Sequence, residues 1–316
     1  MTWRPPGPLA LGGAPLGNLF DTVGEDAARA TIEAALDAGV RYFDTAPHYG
    51  HGLSERRMGD ALRGREGVVI STKVGRLLDP DPHAPRAQFG YVGGLPFRQR
   101  FDYSADGVRR SLEDSLQRMG LARIDIAWIH DVDETAHGAD WPDAFAQAMA
   151  GAARALCDLR AQGVIRAWGL GVNRVEPCLR ALEEADPDLF LLAGRWTLLD
   201  RSAAPLLDAC AARGAGVIAA GAYNSGILAT GPVPGATYDY APADEAVMGV
   251  ARRIAAVCGL HGVPLRAAAL QFAAAHPAVC CVLVGARRPE EIADAQAMIT
   301  APVPPALWRA LAEEAA

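Results

Sequence analysis

Short apolar segments alternate with longer amphipathic segments along most of this chain. That alternation is typical of repeated strand–helix units and predicts a parallel sheet with helices packed outside it. Eight segments are rich enough in apolar and β-branched residues to be strands: Leu9–Leu11, Val40–Phe43, Val68–Lys73, Ile124–Ile129, Ile165–Leu170, Leu189–Ala193, Val217–Ala220 and Val279–Val284.

The helical segments between these strands have apolar positions at helical spacing and recognisable ends. Gly39 and Gly120 each follow such a segment and are natural C-terminal stops, whereas Ser104 is a natural N-cap. The predicted helices are Glu25–Ala38, Ser104–Met119, Asp143–Gln162, Glu176–Glu184, Ala203–Arg213, Asp244–Val257, Leu265–Ala275 and Pro289–Met298, with Pro305–Glu314 as an added C-terminal helix.

Eight strand–helix units over 316 residues predict an α/β fold, a single (β/α)8 TIM barrel that forms one domain over residues 1–316. A doubly wound open sheet is the alternative, but no GxGxxG segment follows an early strand. Two connections are long and rich in Pro and Gly, at residues 76–103 and 222–243. In a barrel we expect them to cover the C-terminal rim and to contribute to specificity.

Composition narrows the classes of function. The net charge is −7 with no dense Lys/Arg cluster, which argues against nucleic acid and anionic membranes as partners. No apolar run is long enough to span a membrane, and the N-terminus lacks the pattern of a signal peptide. The six cysteines have no CxxC spacing, as expected of free thiols in a reducing compartment. These features predict a cytoplasmic protein, and they leave its oligomeric state open.

Four polar residues stand at or just after the ends of three successive predicted strands. Asp44 and Tyr49 follow the second strand, Lys73 ends the third, and His130 follows the fourth. In a parallel barrel these ends meet at one rim, where active sites lie. An ammonium beside a phenol favours the phenolate, so we expect Lys73 to lower the pKa of Tyr49. His48 and His51 flank Tyr49 without fitting a metal-binding motif, and no metal is predicted.

This order and spacing resembles the catalytic tetrad of the aldo-keto reductase superfamily, and further segments extend the resemblance over nearly the whole chain. They are Gly39–Ala46, Ser54–Glu55 and Gly285–Arg287. The resemblance implies hydride transfer between a substrate carbon and a nicotinamide cofactor. It assigns acid/base catalysis to Tyr49, support of Tyr49 to Lys73 and Asp44, and orientation of the substrate oxygen to His130.

The resemblance also implies a set of cofactor contacts. Gly12 and Gly13 are expected near the nicotinamide ribose, and Asn173 at the carboxamide. Backbone amides of the segment containing Asn224, Ser225, Gly226 and Leu228 are expected to hold the pyrophosphate.

The chain also departs from the commonest family pattern in three places. Val172 replaces a Ser, and no Gln stands near Ala193, so Arg195 is the nearest polar group and is predicted to bind substrate. The aromatic residue that stacks on nicotinamide is missing at Ala220, so Tyr223 or Trp196 is expected to replace it.

The coenzyme preference follows from the residues after the eighth strand. Family members that use NADP resemble one another in a Lys and an Arg there, and this chain has Gly285 and Glu291. A carboxylate repels a 2′-phosphate but can accept a hydrogen bond from a ribose hydroxyl. Arg287 and Arg288 could still hold a phosphate. NAD is therefore predicted, with NADP as a possible cofactor.

Phe101–Ser104, Ala193–Asp200 and Tyr223–Gly226 resemble one branch of the superfamily, which oxidises aldoses such as L-fucose, L-galactose or D-arabinose to lactones. The predicted partner is therefore a small sugar or aldehyde. Oxidation of pyridoxal is the close alternative, because it also converts a cyclic hemiacetal into a lactone, and general aldehyde reduction is another. From other classes, a nicotinamide-binding regulatory subunit and a Schiff-base aldolase that uses Lys73 stay open.

Overall fold

The computed structural model describes residues 3–313. Eight parallel strands close a barrel, with Leu9 of the first paired to Val282 of the last. All eight predicted strands are present, with ends that lie within two residues of the prediction. The predicted barrel is confirmed and the open sheet is wrong. The strands are β1 (Leu9–Gly12), β2 (Tyr42–Asp44), β3 (Val69–Val74), β4 (Ile126–His130), β5 (Ala167–Val172), β6 (Leu189–Ala193), β7 (Gly216–Ala220) and β8 (Val279–Gly285).

Helices surround the barrel, and each predicted helix within the described residues begins and ends within three residues of the prediction. The helix predicted over Asp143–Gln162 runs from Trp141 to Ala161 and contains a π-helical turn at Met149–Ala153. The last residue of the predicted C-terminal helix, Glu314, lies outside the described residues. The helices are Glu25–Asp37, Leu53–Leu62, Ala105–Met119, Glu134–His137, Trp141–Ala148, Arg154–Ala161, Glu176–Glu184, Ala204–Arg213, Ile227–Thr230, Glu245–Leu260, Leu265–Ala274, Pro289–Thr300 and Pro305–Glu313.

The helix Leu53–Leu62 has no counterpart among the predictions. It begins after Gly52 with no side-chain cap, and it buries Ser54, Glu55 and Arg57 along with its apolar residues. Glu55 accepts hydrogen bonds from Thr72 Oγ1 at 2.7 Å and Arg118 Nε at 2.6 Å. Because polar residues occupy part of its buried face, the segment lacks the apolar periodicity that predicts a helix.

Alternate residues of the strands fill the barrel interior, as the period of two requires. The interior includes Tyr42 and Trp128, both fully buried, packed with smaller aliphatic side chains. Gly171 lies on β5 beside this layer, where an added Cβ would stand 3.3 Å from the Trp128 Cβ and 3.5 Å from the Lys73 Cε. Its missing side chain leaves room for Lys73 to extend along the barrel axis.

Both long connections are ordered at the rim as hairpins. In the first, Arg76–Pro80 pairs antiparallel with Phe97–Phe101, and a shorter hairpin continues beyond it. Phe20 N donates to Gly90 O at 2.8 Å, so this connection reaches the loop after β1. The second connection contains the short hairpin Thr237–Tyr238 with Ala241–Pro242. The expectation that these segments cover the C-terminal rim is met.

Two further findings bear on the expectations from composition. All six cysteines are free thiols. Within residues 3–313 no single helix is long and apolar enough to span a membrane. A bent pair, Glu245–Leu260 and Leu265–Ala274, meets the length and composition criteria together, with 100° between its helices.

Candidate active site

A cavity of about 570 Å³ opens at the C-terminal ends of the strands. All eight strands contribute to its lining, which is the position of the active site in barrels of this kind. Their contributions include Gly12, Asp44, Lys73, His130, Val172, Ala193, Ala220 and Gly285.

A buried carboxylate organises the floor of the cavity. Asp44 Oδ2 accepts a hydrogen bond from Lys73 Nζ at 2.6 Å, and its Oδ1 accepts from Ser71 Oγ at 2.6 Å and Trp128 Nε1 at 3.1 Å. Lys73 Nζ also donates to Thr45 O at 2.9 Å. The strand register explains the pairing, because Asp44 lies opposite Ser71 and Lys73 is two residues further on the same face. Both members of this ion pair are almost completely buried.

Tyr49 lies in the turn after β2, above this ion pair. Lys73 Nζ is 4.6 Å from the centroid of the Tyr49 ring, and the ring of His130 is 6.0 Å from it, edge to face. Gly17 makes this position possible, because a Cβ there would stand 2.6 Å from the Tyr49 carbonyl carbon. The structure thus brings all four predicted tetrad residues together.

The electrostatics of Tyr49 differ from the sequence-based expectation. Burial raises the pKa of Tyr49 well above its ordinary value, and the nearby Asp44 carboxylate raises this pKa further. The Tyr49 pKa is therefore raised in this structure, whereas the sequence predicts a lowered one. Lys73 lies over the ring face, and Asp44 neutralises its charge at 2.6 Å, so desolvation of the phenolate dominates. Tyr49 is a phenol at neutral pH.

His130 is held neutral in the same cavity. Burial lowers the pKa of His130 well below its ordinary value, and the charges of Lys73 and Arg76 act in the same direction against the opposing effect of Asp131. A neutral imidazole retains one N–H. His130 can therefore donate one hydrogen bond to a substrate oxygen without adding a charge to the site.

One half of the cavity has small or flat walls that suit a nicotinamide ring. Ala193, Ala220 and Gly221 line it, and Asn173 lies beside them. Asn173 N donates to Asp133 Oδ2 at 2.9 Å, whereas its side-chain amide has no partner among residues 3–313. A free amide beside a smooth floor fits a carboxamide-bearing ring, so the residues present match the cofactor that the sequence implies. Gly12 and Gly285, both predicted contacts, also line the cavity.

The segment predicted to hold the pyrophosphate does not line the cavity. Three of its backbone amides are used within the turn, since Asn224 N donates to Gly221 O and both Gly226 N and Leu228 N donate to Tyr223 O. The Leu228 side chain is completely buried in the core between helices. Ser225 Oγ accepts from Tyr240 N at 2.9 Å. These bonds tie the segment to the second hairpin.

Arg195, the predicted substrate contact, also lies outside the cavity lining. Its guanidinium donates to Asp200 Oδ2 at 2.9 Å and to Asp239 Oδ1. Both terminal nitrogens therefore donate to carboxylates, and Arg195 links the loop after β6 to the second hairpin.

Tyr240 is a further aromatic residue of the cavity lining, and its ring centroid is 6.5 Å from that of Phe20. Neither Tyr223 nor Trp196 lines the cavity; Trp196 instead stacks on Phe272, with 5.0 Å between ring centroids. No periodic pattern indicates Tyr240, because it stands at the tip of a hairpin, next to the Asp239 that pairs with Arg195.

Three remaining predicted contacts, Gly13, Arg287 and Glu291, do not line the cavity. Gly13 N donates to Asp44 O at 2.8 Å, and a Cβ there would stand 2.4 Å from Ser54 Oγ, so packing requires this glycine. Glu291 Oε2 accepts from Arg287 N at 2.8 Å, as a carboxylate in the first turn of helix Pro289–Thr300. Arg287 also donates through its guanidinium to Leu19 O at 3.1 Å.

The side of the cavity at β3 and β4 is lined by residues that the sequence does not identify as substrate contacts. Arg76 and Asp131 line it and form an ion pair at 2.7 Å. Phe89 and Tyr91, from the first hairpin, complete this wall. Asp131 directly follows β4, whereas Arg76, Phe89 and Tyr91 come from a connection without periodic sequence, so only the folded connection brings these three to the tetrad.

Comparison with known proteins agrees with this geometry. The sequence profile of the Aldo/keto reductase family matches residues 8–313. Pyridoxal 4-dehydrogenase of Microbacterium luteolum is 43% identical, with 97% of this chain and 93% of that protein aligned. D-threo-aldose 1-dehydrogenase of a Pseudomonas species is 41% identical, over 96% and 93%. The structure of aldo-keto reductase AKR11C1 from Bacillus halodurans shares the fold, with a TM-score of 0.75 at 22% identity over 97% and 91%.

The chain therefore belongs to the aldo/keto reductase family. It is an oxidoreductase of the class that uses nicotinamide cofactors.

Proposed function

We propose that this protein oxidises the anomeric hydroxyl of an aldose to a lactone, with a nicotinamide dinucleotide as hydride acceptor. The carrying observation is the convergence of Asp44, Lys73, Tyr49 and His130 on one cavity whose other half fits a nicotinamide ring. The 41% identity to a D-threo-aldose 1-dehydrogenase supports the substrate class. The chain would act as one domain over residues 1–316, and its free thiols support a cytoplasmic location.

The cofactor supplies the chemistry of hydride transfer when bound, and Asn173 with the small residues of β6 and β7 would hold its ring. The protein's own task is to move one proton at the substrate oxygen. Tyr49 is the group placed to do so. Lys73 and Asp44 fix the electrostatics below its ring, and His130 donates a hydrogen bond that orients the same oxygen.

The raised pKa of Tyr49 assigns different roles to its two protonation states. In reduction, the phenol that dominates at neutral pH is the acid that the reaction needs. In oxidation, Tyr49 must accept the hydroxyl proton, and only its phenolate form can do this. We therefore propose that oxidation is favoured by alkaline conditions and that reduction proceeds at neutral pH.

NAD is the proposed cofactor, and NADP is the weaker one. The Glu291 carboxylate stands in the first turn of helix Pro289–Thr300, where the family's NADP users place a cation. Its charge opposes a 2′-phosphate at that point. Arg288, which contacts Glu291 at 3.1 Å and is otherwise largely exposed, leaves some affinity for NADP.

Pyridoxal is the second candidate substrate. It is favoured by the 43% identity to a pyridoxal 4-dehydrogenase and by the aromatic side chains of Phe89, Tyr91 and Tyr240 around the cavity, which suit a flat ring. Both candidates are cyclic hemiacetals that become lactones, so one tetrad would serve either.

The test is a panel of L-fucose, L-galactose, D-arabinose and pyridoxal, each with NAD and NADP, followed by the absorbance of the reduced cofactor. The proposal expects steady-state oxidation of at least one sugar at a higher kcat/KM than pyridoxal, with Tyr49→Phe inactive as the control. Oxidation of pyridoxal alone would contradict the aldose as substrate and support pyridoxal instead. Turnover of none of the four would contradict the proposed function.

A further inference from the structure

The amide of Gln99 has a single orientation, which two separate contacts fix. Gln99 Oε1 accepts a hydrogen bond from Arg76 Nη1 at 3.0 Å, and a guanidinium can only donate. Gln99 Nε2 lies 3.5 Å from the His48 carbonyl oxygen, which can only accept. If the amide oxygen and nitrogen of Gln99 were exchanged, its NH₂ group would face the Arg76 donor and its oxygen would face the His48 carbonyl oxygen. The atom of Gln99 that faces the His48 ring is therefore an oxygen.

This orientation determines the tautomer of His48. Its Nδ1 is 2.7 Å from Gln99 Oε1, and because that oxygen only accepts, Nδ1 must carry the hydrogen. Burial and the Arg76 charge lower the pKa of His48 to about 4, so the ring is neutral at physiological pH. A neutral ring with its hydrogen on Nδ1 has a lone pair on Nε2. His48 Nε2 is thus an acceptor.

The acceptor has no partner within the described residues, and it lies close to the proposed reacting groups. His48 lines the cavity, and no hydrogen bond to its Nε2 occurs among residues 3–313. Its ring centroid is 6.3 Å from that of Tyr49 and 5.7 Å from that of His130. Arg76, which orients Gln99, is itself held by Asp131 at 2.7 Å, so the chain of contacts is anchored at β4.

We propose that His48 determines substrate specificity by accepting a hydrogen bond, at Nε2, from a hydroxyl on the carbon next to the reacting carbon. The inference rests on the proposed function, because it takes the reacting oxygen to lie at Tyr49 and His130. A hydroxyl on the neighbouring carbon then lies on the side of His48. Aldoses with a 2-hydroxyl would be preferred to their 2-deoxy analogues, since the analogue covers the His48 acceptor and leaves it unpaired.

The tautomer can be tested without any activity measurement. Protein labelled with ¹⁵N at histidine would be studied by NMR, with the His48 ring assigned by its absence in His48→Phe. The expected spectrum shows Nδ1 protonated and Nε2 unprotonated. Gln99→Leu, which removes the acceptor, should shift His48 toward the other tautomer. Protonation of Nε2 in the wild-type protein would overturn the inference.

The recognition step is tested by kcat/KM for L-fucose and 2-deoxy-L-fucose with NAD. We expect the wild-type enzyme to prefer L-fucose by about tenfold or more, the value of one buried hydrogen bond. In His48→Phe the ratio should fall close to one, and in Gln99→Leu it should fall partway. The matched control is His276→Phe, since His276 packs on Trp196 outside the cavity lining and should keep the wild-type ratio.

The two claims fail in different ways. Wild-type enzyme that oxidises neither sugar, nor any other hemiacetal of the panel, contradicts the proposed function and with it this use of His48. An active wild-type enzyme whose preference persists in both His48→Phe and Gln99→Leu contradicts the role of His48 alone. Thermal denaturation of each variant with NAD present confirms that it is folded.

Discussion

Two ion pairs lie close to the same opening of the barrel, and they serve different purposes. Lys73 and Asp44 join the ends of neighbouring strands, with side chains 1% and 0% exposed. Arg195 and Asp239 join a loop after β6 to the second hairpin, and Asp239 is 37% exposed. The first pair lies beneath Tyr49 and lines the cavity. The second pair does not line the cavity, but Asp239 is next in sequence to Tyr240, which does.

The difference lies in what fixes each pair. Strand register sets the separation of Asp44 and Lys73, so the pair follows from the barrel itself. The position of Asp239 depends instead on the path of a hairpin, which contacts such as that of Tyr240 N with Ser225 Oγ hold in place. A buried pair on rigid strands can tune a reacting group, and a pair between loops chiefly sets the shape of the opening.

The largest expected effect concerns the group that the strand-held pair supports. Tyr49→Phe removes the hydroxyl that transfers the proton, so turnover should fall about 10²- to 10⁴-fold. Affinity for the cofactor should stay near the wild-type value, because the phenyl ring and Asn173 remain. Steady-state kinetics and fluorescence titration with NADH measure the two quantities. Unchanged turnover would contradict the assignment of Tyr49.

Matched Asp→Asn substitutions compare the two pairs directly. Asp44→Asn leaves the buried Lys73 ammonium without its counter-charge and should lower the free energy of unfolding by about 3–5 kcal/mol. Asp239→Asn should lower it by about 1 kcal/mol or less, because Asp239 is partly exposed and Arg195 keeps its contact with Asp200. Urea denaturation measures both. Equal losses of unfolding free energy in the two variants would contradict the claim that the strand-held pair is the more strongly coupled to stability.

The pH dependence tests the electrostatics of the strand-held site. Because burial raises the pKa of Tyr49, the reactive phenolate is a minor species at neutral pH and grows as the pH rises. The kcat/KM for oxidation should therefore increase with pH, up to about tenfold per unit, while reduction stays level near neutrality. His130 should not contribute to this pH dependence near neutral pH, because its pKa is lowered well below its ordinary value. A plateau of oxidation already at neutral pH would show that the Tyr49 pKa is not raised.

The smallest expected effect lies furthest from the strands. Glu291→Arg should improve the NADP:NAD ratio of kcat/KM by about tenfold, the worth of a charge-assisted contact to the 2′-phosphate. Glu291→Gln is the control, since it retains an oxygen that can accept from Arg287 N but removes the negative charge. It should produce only part of the change. If the NADP:NAD ratio of kcat/KM is unchanged in both variants, the argument that Glu291 favours NAD is contradicted.

The sequence alone predicts the position of a site residue wherever the order of the strands determines that position. The ends of β2, β3 and β4 brought Asp44, Lys73 and His130 together as predicted, and Tyr49 followed because it lies one short turn beyond Asp44. The sequence does not predict a property, such as a pKa, that depends on residues packed around the group in the folded protein. The direction of the Tyr49 pKa shift reflects burial by residues distant in sequence, which spacing along the chain cannot report.

Loop residues could be placed only from the structure. The sequence predicts Arg195 as a substrate contact near the end of β6, and it does not indicate that Asp200 and Asp239 both pair with this side chain. Tyr240 and Arg76 reach the cavity through hairpins whose folding depends on side-chain contacts, not on a periodic pattern. The sequence places His48 beside Tyr49, but the acceptor role proposed for its Nε2 depends on the orientation of Gln99, which only the folded hairpin sets.

The most direct test of the central claim follows the transferred hydrogen itself. L-fucose carrying deuterium at the anomeric carbon would be incubated with the enzyme and NAD, and the reduced cofactor analysed by mass spectrometry. Hydride transfer at the Tyr49 site predicts deuterated NADH with a lactone as the sugar product, and neither in Tyr49→Phe. Reduced cofactor without deuterium, or a deuterated product formed equally well by Tyr49→Phe, would contradict the account.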